Sequence, residues 1–349
     1  MLTQAGIADY LLSLGVVKPS AIVEGELSVL DASRRNAVFL AAATSGPMHV
    51  VKLARPQTAA TLAHEATVLR ALAAFPQLDG LVPEVVHEEA GCVVLRTRAG
   101  ARDWSEHHRA GHFPTARARL LGRALATLHD LPPAGVADLP VGTDRLWGLT
   151  LPEPAYALLL DLSAAAVDLL ARVQGNAFVC ARLDELRASL SADALVHGDL
   201  RWDNCMVVAP PGGRRRSQVL LVDWELAGPG PAAFDVGTVL AEYLGKWVAS
   251  IPMPDPRDVS RFAHVAGCPL ASLQPAMRAF WGGYRDARAQ PPALAHVMEL
   301  AAVRLLQTAI EHVRRSDELS AHAVATTQLA AHLLRDPSGL TFELLGLRE

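Results

Sequence analysis

The sequence predicts an α+β protein: a strand-rich first hundred residues holding one helix, then a mainly helical remainder interrupted by a few short strands. Three observations predict it. Up to residue 97, short apolar runs alternate with polar turns and give way once to a helical stripe. From residue 115 onward, apolar residues recur at helical spacing. Between residues 194 and 222, three apolar runs reappear, and they are punctuated by Asp199, Asn204 and Asp223. Polar groups in those places are a poor way to build a core and a sensible way to present ligands at strand ends. At 349 residues the chain can hold one large domain or two smaller lobes.

Taken in order, residues 3–15 form a helix with Ile7, Leu11 and Leu14 on one side. Ala21–Leu30 and Ala37–Ala43 read as strands joined by the polar turn Asp31–Asn36. His49–Leu53 is a third strand after Gly46-Pro47. Thr58–Leu72 is a helix with Leu62, Leu69 and Leu72 as its stripe and Thr58 as a candidate cap. Val82–His87 and Cys92–Arg96 are two further strands. Helices are expected over Thr115–Asp130, Ala155–Arg172 and Asn176–Leu190. Strands follow at Ala194–Val196, Cys205–Val208 and Val219–Val222, the last two joined by a Gly/Arg-rich turn, Pro210–Ser217. Gly228-Pro229-Gly230-Pro231 reads as a turn of the chain. Helices return over Val236–Ala249, Leu270–Arg285, Leu294–Arg314 and Leu319–Leu334. No internal repeat appears.

Half of the residues are apolar and 19% are charged, enough for a sizeable core. A net charge of −4 argues against a general nucleic-acid binder. Cys92, Cys180, Cys205 and Cys268 lie far apart, without metal-ligand spacing, and read as small apolar residues in a reducing cytoplasm. No signal peptide is seen at Met1–Val17. The longest apolar stretch, Tyr156–Ala171, is broken by Asp161 and Asp168, so no membrane span is expected. Lys18, Lys52 and Lys246 are the only lysines, against many arginines, which singles each of them out.

The chemistry concentrates in His197-Gly198-Asp199-Leu200-Arg201-Trp202-Asp203-Asn204 and Leu221-Val222-Asp223-Trp224-Glu225. Phosphoryl transfer needs one carboxylate facing the attacking hydroxyl, and an amide and a second carboxylate holding metal ions on the nucleotide phosphates. Asp199 and Asn204 stand five residues apart, and Asp223 nineteen beyond Asn204. A buried turn in which Asp and Asn cap local backbone groups is the bland reading of the same residues.

These motifs resemble the catalytic loop and metal-binding segment of the protein-kinase-like superfamily. His-Gly-Asp, with Asp-Trp-Glu in place of Asp-Phe-Gly, looks like its aminoglycoside phosphotransferase branch. The resemblance implies a bilobal protein-kinase-like fold: residues 1–98 as a nucleotide-binding lobe, and 99–349 as a larger helical lobe that carries a catalytic β-hairpin and the acceptor site. It implies Asp199 as the group that takes the hydroxyl proton, Asn204 and Asp223 as Mg2+ ligands, and ATP, with GTP not excluded, as donor. Lys52 is then the cation on the nucleotide phosphates and Glu65 its partner, with Arg55 as competitor for the cation role. A surface lysine and a solvated glutamate are the alternative. The G-x-G-x-x-G loop is missing. The turn Asp31–Asn36 has to cover the phosphates instead, through Ser33, backbone N–H groups, and Arg34 or Arg35; a plain polar hairpin turn is the equal alternative. His197 is expected beneath the loop, Asp235 as a brace for it, and Asp203 facing solvent. Adenine is expected to bond backbone groups near Leu95–Gly100.

The acceptor is open. The family favours small molecules such as aminoglycosides, macrolides, choline and sugars, yet the acids of the helical lobe, Glu242, Glu299 and Glu311 among them, are mixed with arginines and form no acidic cluster. A narrower resemblance, carried by Asp31–Asn36, the lone strand lysine and the two motifs, is to actinobacterial kinases of thioamitide and class V lanthipeptide biosynthesis. These phosphorylate Ser/Thr of a ribosomal precursor peptide before a partner lyase eliminates phosphate to leave a dehydroamino acid. That acceptor leads, a small-molecule alcohol is second, and a nucleotide- or peptide-binding module without transfer is the reading from another class. Nucleic acid and membrane are not expected partners.

Overall fold

The first lobe is a sheet between two unequal helical layers. The computed structural model describes residues 3–33, 36–44, 47–98, 100–132, 136, 139, 145–208, 217–253 and 266–347. Helix α1 (Gln4–Ser13) and the short α2 (Pro19–Val23) precede β1 (Leu27–Asp31), β2 (Ala37–Ala43) and β3 (Met48–Leu53); α3 (Ala59–Leu72) is followed by β4 (Glu84–Glu89) and β5 (Cys92–Thr97). The five strands form one antiparallel sheet in the order β1-β2-β3-β5-β4. Side chains alternate across it. Phe39, Ala41, Val51, Cys92 and Val94 pack with Ile7 and Leu11 of α1, whereas Val93 and Leu95 join Leu62, Val68 and Leu69 of α3 in the main core. Lys52 follows Val51 and pairs across to Val93, so it lies on the α3 face.

The expected strand Ala21–Leu30 begins only at Leu27. Pro19, with its fixed φ, starts a short helix at the first position. Gly25, at φ +69°, then redirects the chain into β1.

Two elements escaped the periodicity reading. Strand β6 (Ala101–Asp103) leads into α4 (Trp104–Arg109), whose cap is the Asp103 side chain accepting from Glu106 N at 2.6 Å. The Asp103-x-x-Glu106 spacing was the signal for that helix start. β6 pairs with β8 (Cys205–Val208), which pairs with β9 (Gln218–Leu221), so the segment leaving the first lobe becomes an edge of the strand group carrying the motifs.

The remainder is helical: α5 (Thr115–His129), α6 (Tyr156–Leu159), α7 (Ala164–Gln174), α8 (Ala177–Ser189), α9 (Ala232–Ala249), α10 (Leu270–Arg285), α11 (Leu294–Val313), α12 (Ala321–Arg335) and α13 (Gly339–Leu345). The single helix expected over Ala155–Arg172 divides because Ser163 caps α7, its Oγ accepting from Ala166 N at 3.1 Å. Gly228-Pro229-Gly230 is not merely a turn but strand β10, antiparallel to β7 (Ala194–Val196). Helix α9 starts at Ala232, ahead of the expected Val236. Residues 210–216 of the Gly/Arg-rich turn, with Arg34, Arg35 and Ala99, lie outside the described residues. Helices α5 and α10 cross at Gly122, where a Cβ would stand 2.2 Å from Phe280 O, so only glycine permits that approach. Among the described residues no helix is long and apolar enough to cross a membrane.

Candidate active site

The loop after β7 is fixed by one buried carboxylate. Asp235, in the first turn of α9, accepts from His197 N at 2.7 Å and Gly198 N at 2.9 Å, and lies 3.2 Å from His129 Nε2. For that ring nitrogen to donate, His129 Nδ1 must accept, and Tyr284 Oη lies 2.9 Å from it. Burial alone would raise the Asp235 pKa, but the His129 bond and the nearby His197 outweigh it and hold the carboxyl below its usual range. Gly198 sits at φ +83°, and a Cβ there would meet Leu226 O at 2.7 Å. His197 lies beneath the loop: Nδ1 accepts from Asp199 N at 3.3 Å, and so Nε2 donates to Val222 O at 3.0 Å. One imidazole thereby ties the strand before Asp223 to the loop bearing Asp199.

Asp199 is half-buried and points its carboxylate at two donors. Arg201 Nε lies 3.2 Å from it and Asn204 Nδ2 3.1 Å. Asn204 Nδ2 also reaches Asp199 O at 2.8 Å. With its amino group so used, Asn204 keeps Oδ1 as its remaining donor atom toward a cation. Val222 N donates to Asn204 O at 3.0 Å, which sets Asp223 next to this loop.

Asp223 stands at φ +69°, the sole non-glycine at positive φ among the described residues. Such backbone geometry is uncommon outside glycine and concentrates at functional sites. Its Oδ1 accepts from Lys52 Nζ at 2.8 Å, and Lys52 also donates to both Glu65 oxygens at 2.8 Å. Burial would lower the Lys52 pKa, yet the two carboxylates raise it well above the usual range, so the ammonium stays charged. Burial likewise works against the Asp223 carboxylate, and Lys52 overcomes it and holds its pKa low. Helix α3 is fastened to the same segment twice more: Trp224 N donates to Glu65 Oε1 at 3.1 Å, and His64 Nε2 lies 2.7 Å from Ala227 O.

Asp199, Asn204, Asp223, Lys52 and Glu65 are thus linked side chain to side chain or through one intervening residue, from four separated stretches of chain. Ser33 stands apart from this network: its Oγ accepts from Val38 N at 3.1 Å and its N–H donates to Asp31 Oδ1 at 2.8 Å, so it closes the β1–β2 turn. Arg34 lies outside the described residues, and Arg55 is exposed. Asp203, expected toward solvent, accepts from Ser105 Oγ.

No group of three or more His, Cys, Asp or Glu side chains among the described residues forms a metal cage by itself. An amide oxygen and a carboxylate, as Asn204 and Asp223 offer, are donors of the kind Mg2+ accepts when phosphates and waters complete its shell, so the residues present fit a nucleotide-bound metal.

Beside the Asp199–Asn204 loop, through its Arg201 and Asp203, opens a cleft of about 350 Å3, lined also by Glu242, Arg304, Glu311 and His312 among others. Arg304, on α11, is only 6% exposed and donates to both Glu311 oxygens, at 3.0 and 3.1 Å. Glu242 accepts from Trp202 N at 3.1 Å, and burial raises its pKa. Sequence reasoning left Arg201 and Arg304 without a role. The available signal for Arg304 was a run of polar residues, Glu299, Arg304 and Gln307, buried on an otherwise apolar helix.

A family model described as the phosphotransferase enzyme family matches residues 26–258. No curated protein matches the chain. Solved structures do. A microcompartment-associated aminopropanol kinase is 19% identical, with 99% of each chain covered and a TM-score of 0.55. A macrolide 2′-phosphotransferase from Brachybacterium faecium is 18% identical, covering 93% of this chain and 97% of its own, with a TM-score of 0.51. An ADP-bound aminoglycoside phosphotransferase is 14% identical, covering 95% and 97%, with a TM-score of 0.52. At these identities the likeness is one of fold: a kinase-like arrangement of a small sheet lobe on a helical lobe.

Proposed function

The chain belongs to the phosphotransferase enzyme family, and from that premise we propose that it moves the γ-phosphoryl group of ATP to the hydroxyl of an acceptor seated in the cleft beside Asp199. The observation that carries this reading is Lys52 held between Glu65 and Asp223 at 2.8 Å, next to the loop on which Asn204 grips Asp199.

In this reading Lys52 neutralises charge on the donor phosphates and Glu65 fixes its position. Asp199 orients the acceptor hydroxyl and takes its proton. Asn204 and Asp223 hold Mg2+, which when bound screens the phosphate charge against the incoming oxygen. The β1–β2 turn, which Ser33 closes, is the segment assigned to cover the phosphates. Most of the acceleration then comes from positioning and fixed charge rather than covalent chemistry.

The leading acceptor is a Ser or Thr of a ribosomal precursor peptide, phosphorylated ahead of elimination by a partner lyase. It is supported by the Asp31–Asn36 and His197–Asn204 motifs. A small alcohol is the second reading, favoured by the fold likeness to an aminopropanol kinase. The test is intact-mass analysis after incubation with ATP and Mg2+, offering a Ser/Thr precursor peptide, amino alcohols and aminoglycosides, with single-turnover transfer from labelled ATP followed in parallel. One added phosphate on the peptide selects the first reading and on a small alcohol the second. ATP bound without transfer to any acceptor or to water makes the chain a binding module.

A further inference from the structure

The charges of the acceptor cleft are unevenly spent. The carboxylates lining it already have partners: Glu242 takes Trp202 N, Glu311 takes two bonds from Arg304, and Asp203 takes Ser105; Asp199, on the same loop as Arg201, takes Arg201 and Asn204. The guanidiniums are less fully used. Arg201 is bonded only through Nε, and among the described residues its two Nη groups have no hydrogen-bond partner. Arg304 is buried, and its Nε is an orphan donor without a hydrogen-bond partner among the described residues. Buried N–H groups on a charged side chain are rarely left so. A cationic acceptor would have to take carboxylates away from these partners; an anionic one finds donors waiting.

We propose that the acceptor carries a carboxylate close to its hydroxyl, and that Arg201, backed by Arg304, binds that carboxylate while the hydroxyl lies at Asp199. This rests on the phosphotransfer reading above and narrows it. Arg201 is the residue suited to both ends, since its Nε already spans to Asp199 while its Nη pair presents the fork that matches a carboxylate. Glu311 occupies Arg304 as a carboxylate from the acceptor would, and its exposed position lets it swing away. The carboxylate can belong to a free hydroxy acid or to an acidic residue beside a Ser in a peptide; the chemistry recognised is the same.

The experiment offers matched pairs that differ only in that group: glycerate against glyceramide, L-serine against L-serinamide, and a Ser peptide flanked by Glu against the same peptide flanked by Gln. Phosphate transfer is read by mass, and ATP hydrolysis is followed in the same tubes. The expected result is that in at least one pair the acid is phosphorylated about tenfold or more faster at low concentration than its amide, the worth of one charge-assisted hydrogen bond. The free acids and the peptide pair separate the two sources. Amides accepted as well as acids, or acids untouched by protein that hydrolyses ATP, overturn the proposal and leave the phosphotransfer reading standing. Absence of any nucleotide turnover or binding removes both. Glu311→Gln supplies a test of sign: it frees Arg304, so the KM of an acid acceptor falls several-fold. A rise in that KM places the recognition on Glu311 and overturns the assignment.

Discussion

Trp224 donates its backbone N–H to Glu65 Oε1 at 3.1 Å, so the carboxylate that grips Lys52 also grips the residue after Asp223. One anion on α3 therefore registers the sheet lobe against the strand group of the helical lobe. A glutamine in its place keeps the shape and loses the charge.

Glu65→Gln is accordingly expected to act on nucleotide handling. Lys52 loses one of its two anionic partners, and a charge-assisted hydrogen bond is worth about 1.5–3 kcal/mol. The KM for ATP should rise about tenfold or more, with Lys52→Ala giving an equal or larger rise. Initial rates over an ATP series measure it. An unchanged ATP dependence in Lys52→Ala would transfer the cation role to Arg55 or Arg34.

Asp199→Ala and Asp223→Ala are expected to abolish transfer for different reasons. The first removes the group proposed to orient the hydroxyl, an effect of about a hundredfold to ten-thousandfold. The second removes the proposed Mg2+ donor and leaves Lys52 with Glu65 alone. Asp199 is partly exposed and Asp223 more so, at 20% and 36% of their side chains, so folded structure should survive both. Single-turnover transfer together with circular dichroism checks this; activity near wild type in either folded variant would sink the mechanism.

These residues were legible because the chemistry fixes their spacing along one chain, and the interruption of three apolar runs by Asp199, Asn204 and Asp223 is visible without a structure. Lys52 and Glu65 were legible only once that motif had been read, since alone each resembles an ordinary surface residue. What stayed hidden depends on contacts between distant segments. Arg304 and Glu311 belong to a helix whose period predicts its core and says nothing about which polar residue lines the cleft shared with Arg201. Strand β10 hid behind Gly228-Pro229-Gly230, because a three-residue strand with two glycines carries no β signal and is held by its pairing with β7. Pro19 is a helix-start signal, and Ile22 and Val23, which follow it, carry the opposite, strand-like propensity.

Asp235 should matter first to stability. It is fully buried, and its oxygens accept from His197 N, Gly198 N and His129. Asp235→Ala strands three donors and is expected to cost about 3–5 kcal/mol, and to depress transfer by loosening the loop; urea unfolding reads the first and initial rates the second. The sign with pH follows from its lowered pKa. The stabilisation is complete above the ordinary Asp value of 3.8 and is lost as pH falls through the lower folded value. A loss below about 1 kcal/mol in Asp235→Ala would show that the loop is braced elsewhere.

His108 carries the clearest pH dependence. Its ring lies 4.0 Å from that of Trp202, 5.0 Å from Phe113, 5.3 Å from Tyr243 and 5.8 Å from Trp104 by centroids, and neither ring nitrogen has a hydrogen-bond partner among the described residues. Burial first, then the positive charge of His107, Lys246 and Arg117, pushes its pKa from 6.5 down to about 3. The unfolded chain takes up a proton near 6.5 that the folded chain refuses. The stability it permits is therefore complete above pH 6.5 and erodes below it, by about 1.4 kcal/mol per pH unit until about pH 3. His108→Phe keeps the ring packing and removes the proton site. Between pH 7 and pH 5 the wild-type protein should lose about 2 kcal/mol more than the variant, compared by urea unfolding at each pH. The difference between the two slopes isolates His108 from His49 and His107, whose pKa values burial also lowers and which both proteins retain. Because Trp202 sits between Arg201 and Asp203, acid should loosen the catalytic loop along with the cluster, so transfer by the variant should persist to lower pH. Parallel stability curves for the two proteins would mean that His108 is already protonated, or hydrated by a buried water, in the folded state.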